Sequence, residues 1–185
     1  MEEIIREGLG ELDIAVPPGA VDLLRAYGDL LLERNRVVNL TAIRDPEGVA
    51  RLHFLDCAPL LRAADFTGRR GLDMGSGAGF PGVPLRILCP DMDLTCVDSV
   101  GKKMEFVEEA SAALGLDRVT CLRGRIEEMP ELRESFDIAV SRAVAELDVL
   151  AELCLPQVKV GGIFIAMKGP DCEEEAEQAD YAIRS

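Results

Sequence analysis

From residue 71 to residue 167 the chain alternates between two hydrophobic rhythms, and this alternation limits its fold more than any other feature. Short apolar runs of strand-forming residues stand at 71–74, 94–98, 119–122, 138–140 and 163–167. Between them lie stretches with helical spacing at 83–88, 102–114 and 147–155. Strand followed by helix followed by strand closes as a right-handed crossover, which makes the sheet parallel and covers both its faces with helices. The expected fold class is therefore α/β, a three-layer sandwich with a parallel central sheet. The segment at 127–132 has room for only a turn or two of helix.

Ahead of this rhythm stands a helical extension. Ile4, Ile5, Leu9 and Leu12 share one face of a first helix, and Pro17-Pro18 ends it. Val21, Leu24, Tyr27, Leu31 and Leu32 form the stripe of a second helix over 20–34. Within it Leu23, Leu24, Leu30 and Leu31 read as core packing. A third starts after Asp45-Pro46, with the Asp as cap and the Pro in the first turn. It carries Val49, Leu52 and His53 and runs on past Pro59 to about Leu61. The chain thus divides into an extension at 1–66 and a sheet-containing core at 67–185. An acidic helix is expected at 173–183, and a strand should follow it, so the terminal strands of the sheet are expected to be missing from this chain.

Composition narrows the function classes. At 185 residues, with 48% hydrophobic and 29% charged residues, the chain has material for one well-filled core. Its net charge of −14 repels nucleic acid, so any RNA contact must come from a local basic patch. Six of the acidic residues fall within 171–180, and 16 of the 20 basic residues are Arg, the better fork for phosphate and carboxylate. Aromatic residues are only 4%, with no Trp, which argues against a base-stacking platform. No apolar run approaches a membrane span and the first residues are acidic, so a cytoplasmic protein with no membrane partner is expected. The six cysteines contain no C-x-x-C pair; reduced thiols and no metal are the expectation.

The most informative stretch runs Asp73-Met74-Gly75-Ser76-Gly77-Ala78-Gly79-Phe80-Pro81-Gly82. It follows the first strand and opens a helix, where glycine lets backbone approach a ligand. A dinucleotide fingerprint read from Gly75 would need glycine where Phe80 stands, and a phosphate loop would need Lys-Ser or Lys-Thr where Pro81-Gly82 stands. An acidic residue before three alternating glycines instead suits S-adenosylmethionine, which has no pyrophosphate but carries an ammonium, a carboxylate and a sulfonium. Gly75, Ser76 and Gly77 are thus candidate cofactor contacts. Asp98 ends the second strand 23 residues beyond Gly75, where a ribose-binding carboxylate falls in open α/β folds; capping of the helix near Gly101 is its other reading. Gly124 to Glu127 and Ser141-Arg142 follow the next two strands, so four strand ends share one rim.

Several motifs together resemble one family. Asn39-Leu40-Thr41-Ala42-Ile43 and His53-Phe54-Leu55-Asp56 are similar to the N-terminal signature of the bacterial small-subunit rRNA guanine-N7 methyltransferases, the RsmG or GidB family. The glycine loop, Val97-Asp98-Ser99-Val100-Gly101-Lys102-Lys103, Gly124-Arg125-Ile126-Glu127-Glu128 and Val140-Ser141-Arg142-Ala143 extend the resemblance over about residues 20 to 169. Cys57, Val100 and Lys103 depart from the family's usual Ser, Leu and Arg. The resemblance implies a class I, Rossmann-like methyltransferase core using S-adenosylmethionine. The implied substrate is a guanine in the 530 loop of 16S rRNA within the small ribosomal subunit. Cofactor contacts carry over to Gly75, Phe80, Ile126, Glu127 and Arg142. A monomer is expected.

Methyl transfer to guanine N7 needs positioning and no general base, since N7 bears a lone pair and no hydrogen. In keeping with this, no Asn-Pro-Pro-Tyr segment follows the fourth strand, and no Pro-Cys pair offers a thiolate. Arg142, following the fourth strand, is the candidate for positioning donor or acceptor. Lys102, Lys103, Arg123, Arg125 and Lys168 are the candidate RNA contacts, with solvated surface charge as the plainer reading of about half of them. His53, the one histidine, reads as structural, paired with Asp56, and Asn39 and Thr41 as anchors of their loop. A small-molecule methyltransferase and a non-catalytic cofactor-binding module are the competing functions.

Overall fold

A computed structural model describes residues 1–142, 145–169, 172 and 179. Ala143 of the fourth-strand motif and, but for residue 179, the expected acidic helix at 173–183 lie outside the described residues. Five strands form one all-parallel sheet in the order β3-β2-β1-β4-β5: β1 (Arg70–Met74), β2 (Asp93–Asp98), β3 (Val119–Arg123), β4 (Phe136–Arg142) and β5 (Val158–Met167). Each of the five apolar runs is a strand. The central β1 and β4 are almost wholly buried, as strands with helices on both faces must be. The direction of winding reverses between β1 and β4, the position where open α/β sheets leave a crevice at their carboxyl ends.

The crossover helices are α5 (Gly82–Leu88), α6 (Gly101–Ala113) and α7 (Leu147–Cys154), with two short 3₁₀ turns between β3 and β4 at Ile126–Glu128 and Pro130–Leu132. The extension supplies α1 (Glu2–Glu11), α2 (Ala20–Arg34), α3 (Pro46–Val49) and α4 (Leu60–Ala63). Leu24, Tyr27 and Leu31 of α2 are fully buried, while Leu23 and Leu30 of the same stripe are half-exposed. Two apolar clusters flank the sheet. Leu72, Met74, Phe136, Ala139, Leu150 and Cys154 fill one face beneath α7. On the other face, Leu94, Cys96 and Val140 join Val83, Phe106 and the buried residues of α1 and α2 in one continuous core. The extension is therefore packed into the same core as α5 and α6.

The third helix departs from its expected form. Asp45 caps α3 as expected, accepting from the Gly48 N–H at 2.8 Å, with Pro46 in the first turn. Residues Ala50–Leu55 then wind as a π-helix. The wider turn places His53 and Phe54, four and five residues after Val49, on the buried side and turns Leu52 outward to 60% exposure. The α-helical spacing that joined Val49, Leu52 and His53 does not survive this widening.

Candidate active site

At the end of β1 the chain folds across the tip of β2. The N–H groups of Gly75 and Ser76 both donate to the Val97 carbonyl, at 2.8 and 3.2 Å. The N–H groups of Gly79 and Phe80 then return to the Ser76 carbonyl, each at 2.9 Å. Two glycines serve different needs here. At Gly79 (φ +86°) an added Cβ would stand 2.5 Å from the Tyr27 hydroxyl, so this glycine admits α2, whose Tyr27 donates to the Ala78 carbonyl at 2.8 Å. At Gly77 (φ +57°) an added Cβ would meet nothing within 4 Å, so backbone conformation alone demands it and the space before it is open.

Asp98 ties this loop to the next helix. Its Oδ2 accepts from the Gly77 N–H at 2.9 Å and its Oδ1 from the Val100 N–H at 2.8 Å, just ahead of α6. The capping role is not taken up, since both oxygens bond N–H groups ahead of the helix, and the carboxylate lines a crevice of about 200 Å³. Gly75, Asp98, Ile126 and Glu127 meet in that crevice, with Val97 and Leu153 as apolar walls. An apolar slot suits a heteroaromatic base and adjacent carboxylates suit the hydroxyls of a ribose, so the residues present fit an adenosyl group.

Ser76 and Phe80 turn elsewhere. Ser76 is buried at 2% exposure, its side chain against the Cys96 thiol of β2. The Phe80 ring is buried and stacks on His53, with ring centres 4.3 Å apart and planes at 11°. The acidic residue before the glycines is not part of the crevice wall. Asp73 is fully buried on the α5 side, where its Oδ2 accepts from the Gly82 N–H at 2.7 Å. Burial, opposed by that N–H and by Arg142, pushes its carboxyl up to about 7.

Across β1, at the tip of β4, a second cluster forms. Arg142 donates from Nη2 to His53 Nδ1 at 2.9 Å and from Nη1 to the Leu52 carbonyl at 3.2 Å. Asp56 Oδ2 lies 3.5 Å from Nη1, and the guanidinium sits 5.4 Å from the centre of the Phe80 ring. The expected His53–Asp56 pair is replaced by this arrangement: His53 uses its two nitrogens on Arg142 and Thr41, and Asp56 pairs with Arg142. Burial and the neighbouring guanidinium lower the His53 imidazole to about 4, so it is neutral at physiological pH. Thr41 does anchor its loop, whereas Asn39 is exposed and accepts from Arg44 at 3.3 Å.

The basic candidates are spread around the rim. Lys102, Arg123 and Arg125 are exposed and Lys103 is half-buried. The Arg123 guanidinium lies over Gly101 at the start of α6, and Arg125 pairs with Glu127 at 3.7 Å. Lys168 donates to the Ala145 carbonyl. Burial holds the thiols of Cys57, Cys96, Cys121 and Cys154 above their ordinary range, Cys121 up to about 11 and Cys154 up to about 12, so they are protonated. Among the described residues there is no group of three or more His, Cys, Asp or Glu placed to hold a metal, and no helix long and apolar enough to cross a membrane.

Sequence reasoning missed the bracing of the loop by Tyr27 and the assembly of His53 and Phe80 around Arg142. Helical spacing marked Tyr27 as core, but no local pattern marks a hydroxyl aimed 51 residues away.

The chain is similar to known proteins over most of its length. Residues 20–185 match the family model described as GidB, rRNA small subunit methyltransferase G. The Ribosomal RNA small subunit methyltransferase G of Alkaliphilus oremlandii (strain OhILAs) is 44% identical over 189 residues, covering 100% of this chain and 79% of that protein. That of Lactobacillus johnsonii (strain CNCM I-12250 / La1 / NCC 533) is 47% identical over 163 residues, covering 85% of this chain and 68% of that protein. A crystal structure of a SAM dependent methyltransferase from Aquifex aeolicus shares the fold, with a TM-score of 0.54 at 21% identity over 73% of this chain and 82% of that one. With its parallel sheet, its glycine loop and a match running from α2 onward, the chain belongs to the rRNA small subunit methyltransferase G family.

Proposed function

We propose that this chain transfers a methyl group from S-adenosylmethionine to N7 of a guanine in the 530 loop of 16S rRNA, acting as a cytoplasmic monomer on the small ribosomal subunit. One observation carries the reading: the glycine loop, Asp98 and Ile126-Glu127 form a crevice on one side of β1 while Arg142 stands at the tip of β4 on the other. The residues proposed to hold the cofactor are Gly75, Gly77, Asp98, Ile126 and Glu127; Ser76 and Phe80, turned away from the crevice, and Arg142, across β1, drop out of the expected set. When bound, the cofactor supplies an electrophilic methyl on a sulfonium. The work left to the protein is orientation, since N7 presents a lone pair and carries no hydrogen. Arg142 is proposed to orient the acceptor against the methyl, because its guanidinium is already held from three sides. Lys102, Lys103, Arg123, Arg125 and Lys168 are proposed as phosphate contacts, the local basic set that an otherwise acidic surface requires.

The test is tritiated methyl transfer from S-adenosylmethionine to purified small subunits, followed by mass mapping of the rRNA. Label at a single guanine N7 is the expected result. Label only on small molecules, or cofactor binding with no turnover on any ribosomal particle, would reject the assignment.

A further inference from the structure

The lone histidine lies on none of the crevice walls, yet both of its ring nitrogens are engaged, and their partners set its protonation pattern. Arginine can only donate, so Nδ1 accepts from Arg142 Nη2 at 2.9 Å and carries no proton. The proton then sits on Nε2, 2.9 Å from the Thr41 hydroxyl, which therefore accepts. That hydroxyl is itself placed by the Ile43 N–H at 3.2 Å. The Thr41 backbone is gripped at both ends by Asn35, buried just past α2: Oδ1 accepts the Thr41 N–H at 3.1 Å and Nδ2 donates to the Thr41 carbonyl at 2.9 Å. A continuous line of hydrogen bonds thus runs from the end of α2, through Asn35, Thr41 and His53, to the guanidinium at the tip of β4. The π-helical winding of Ala50–Leu55 is what faces the imidazole toward β4.

We propose that His53 is a positioning residue for Arg142: as the neutral Nε2–H imidazole, locked by Thr41, it fixes the guanidinium in the plane that methyl transfer requires. The proposal rests on the reading that Arg142 belongs to the active site. With both nitrogens committed, His53 has no free lone pair to act as a base. Burial and the charge of Arg142 from β4 favour the neutral form and outweigh the Leu52 carbonyl, which favours the charged one, while the carboxylate of Asp56, on the same segment, is engaged with Arg142. The ring is also clamped flat against Phe80, so it cannot swing away from the guanidinium without breaking that stack.

A double-variant cycle on intact small subunits tests this. The kcat of methyl transfer is measured for the wild type, His53→Ala, Arg142→Ala and the double variant, with S-adenosylmethionine affinity measured by calorimetry. His53→Ala is expected to lower kcat about tenfold, and the double variant to be within about twofold of Arg142→Ala, since one interaction cannot be lost twice. Losses that multiply, or full activity in His53→Ala, overturn the proposal while leaving the role of Arg142 intact. Full activity in Arg142→Ala removes Arg142 from the site, and the proposal falls with it. Should His53→Ala fail to fold, the polar variants decide. Asparagine places an acceptor where Nδ1 stood and is expected to recover most of kcat, whereas glutamine reaches toward Thr41 and is not. Equal rates for His53→Asn and His53→Gln overturn the proposal.

Discussion

The two sides of β1 are built in different ways. On the β2–β3 side the cradle is largely backbone: Gly75 and Ser76 hang from the Val97 carbonyl, and Asp98 holds the Gly77 and Val100 N–H groups. Its parts follow one another along two consecutive βαβ units. On the β4 side the parts are side chains from distant segments, with His53 lying 89 residues from the Arg142 it touches. A cradle of backbone tolerates changes of side chain but not of backbone conformation. A cluster of side chains shows the opposite sensitivity, and its geometry depends on the helical extension being docked.

This contrast can be broken experimentally, and the largest effect is expected at Gly75. Its φ of +68° is a conformation that a β-branched residue avoids, so Gly75→Val should collapse the cradle and weaken S-adenosylmethionine binding at least about a hundredfold, a cost of about 2.7 kcal/mol. Unchanged calorimetric affinity would refute the backbone account.

Next comes a pH signature confined to the β4 side. The His53 imidazole is lowered from 6.5 to about 4 in the folded chain, so the fold takes up this proton less readily than the unfolded chain. The stability tied to the neutral ring is complete above about pH 6.5 and is lost as pH falls through 4. The unfolding free energy of the wild type relative to His53→Asn, from denaturant titration, should therefore drop on acidification by an amount on the order of 2 kcal/mol once solvent screening is allowed for. A constant difference between the two proteins from pH 7 to pH 4 sinks this prediction. Asp73 pulls the other way. Its carboxyl is raised to about 7, so its contribution is present below about pH 3.8 and is lost as pH rises through 7.

Arg142→Ala should then separate chemistry from binding. Methyl transfer is expected to fall about thirtyfold, the scale of a lost charged hydrogen bond, while cofactor affinity changes less. Equal losses in both would move Arg142 from the acceptor to the cofactor. Asp98→Ala, which frees two N–H groups of the cradle, is expected to cost about tenfold in affinity and a few degrees in melting temperature. The smallest effect should come from Arg123→Ala at the exposed rim. It should weaken rRNA binding two- to threefold and reduce the slope of log affinity against log salt by about one, with kcat unaltered. A salt slope identical to that of the wild type would assign Arg123 to the solvated surface.

How much of this was legible in the chain follows from the range of the forces involved. The five strand positions, the α/β class, the cap at Asp45 and the rim formed by Gly75, Asp98 and Ile126-Glu127 were readable, because local hydrophobic period and backbone preference act within a few residues. Where a side chain's partner lies far along the chain, that reading fails. His53 was matched with its neighbour Asp56 and instead meets Arg142, because the π-winding of Ala50–Leu55 rotates it by an amount that α-helical spacing does not contain. The chain by itself determined which elements form and which backbone turns carry the cradle, since those depend on steric and hydrophobic terms local to each segment. Only the packing of the extension against the sheet decided how Arg142 is held and in which protonation state His53 holds it, since burial and the approach of distant charges exist only once the core has closed.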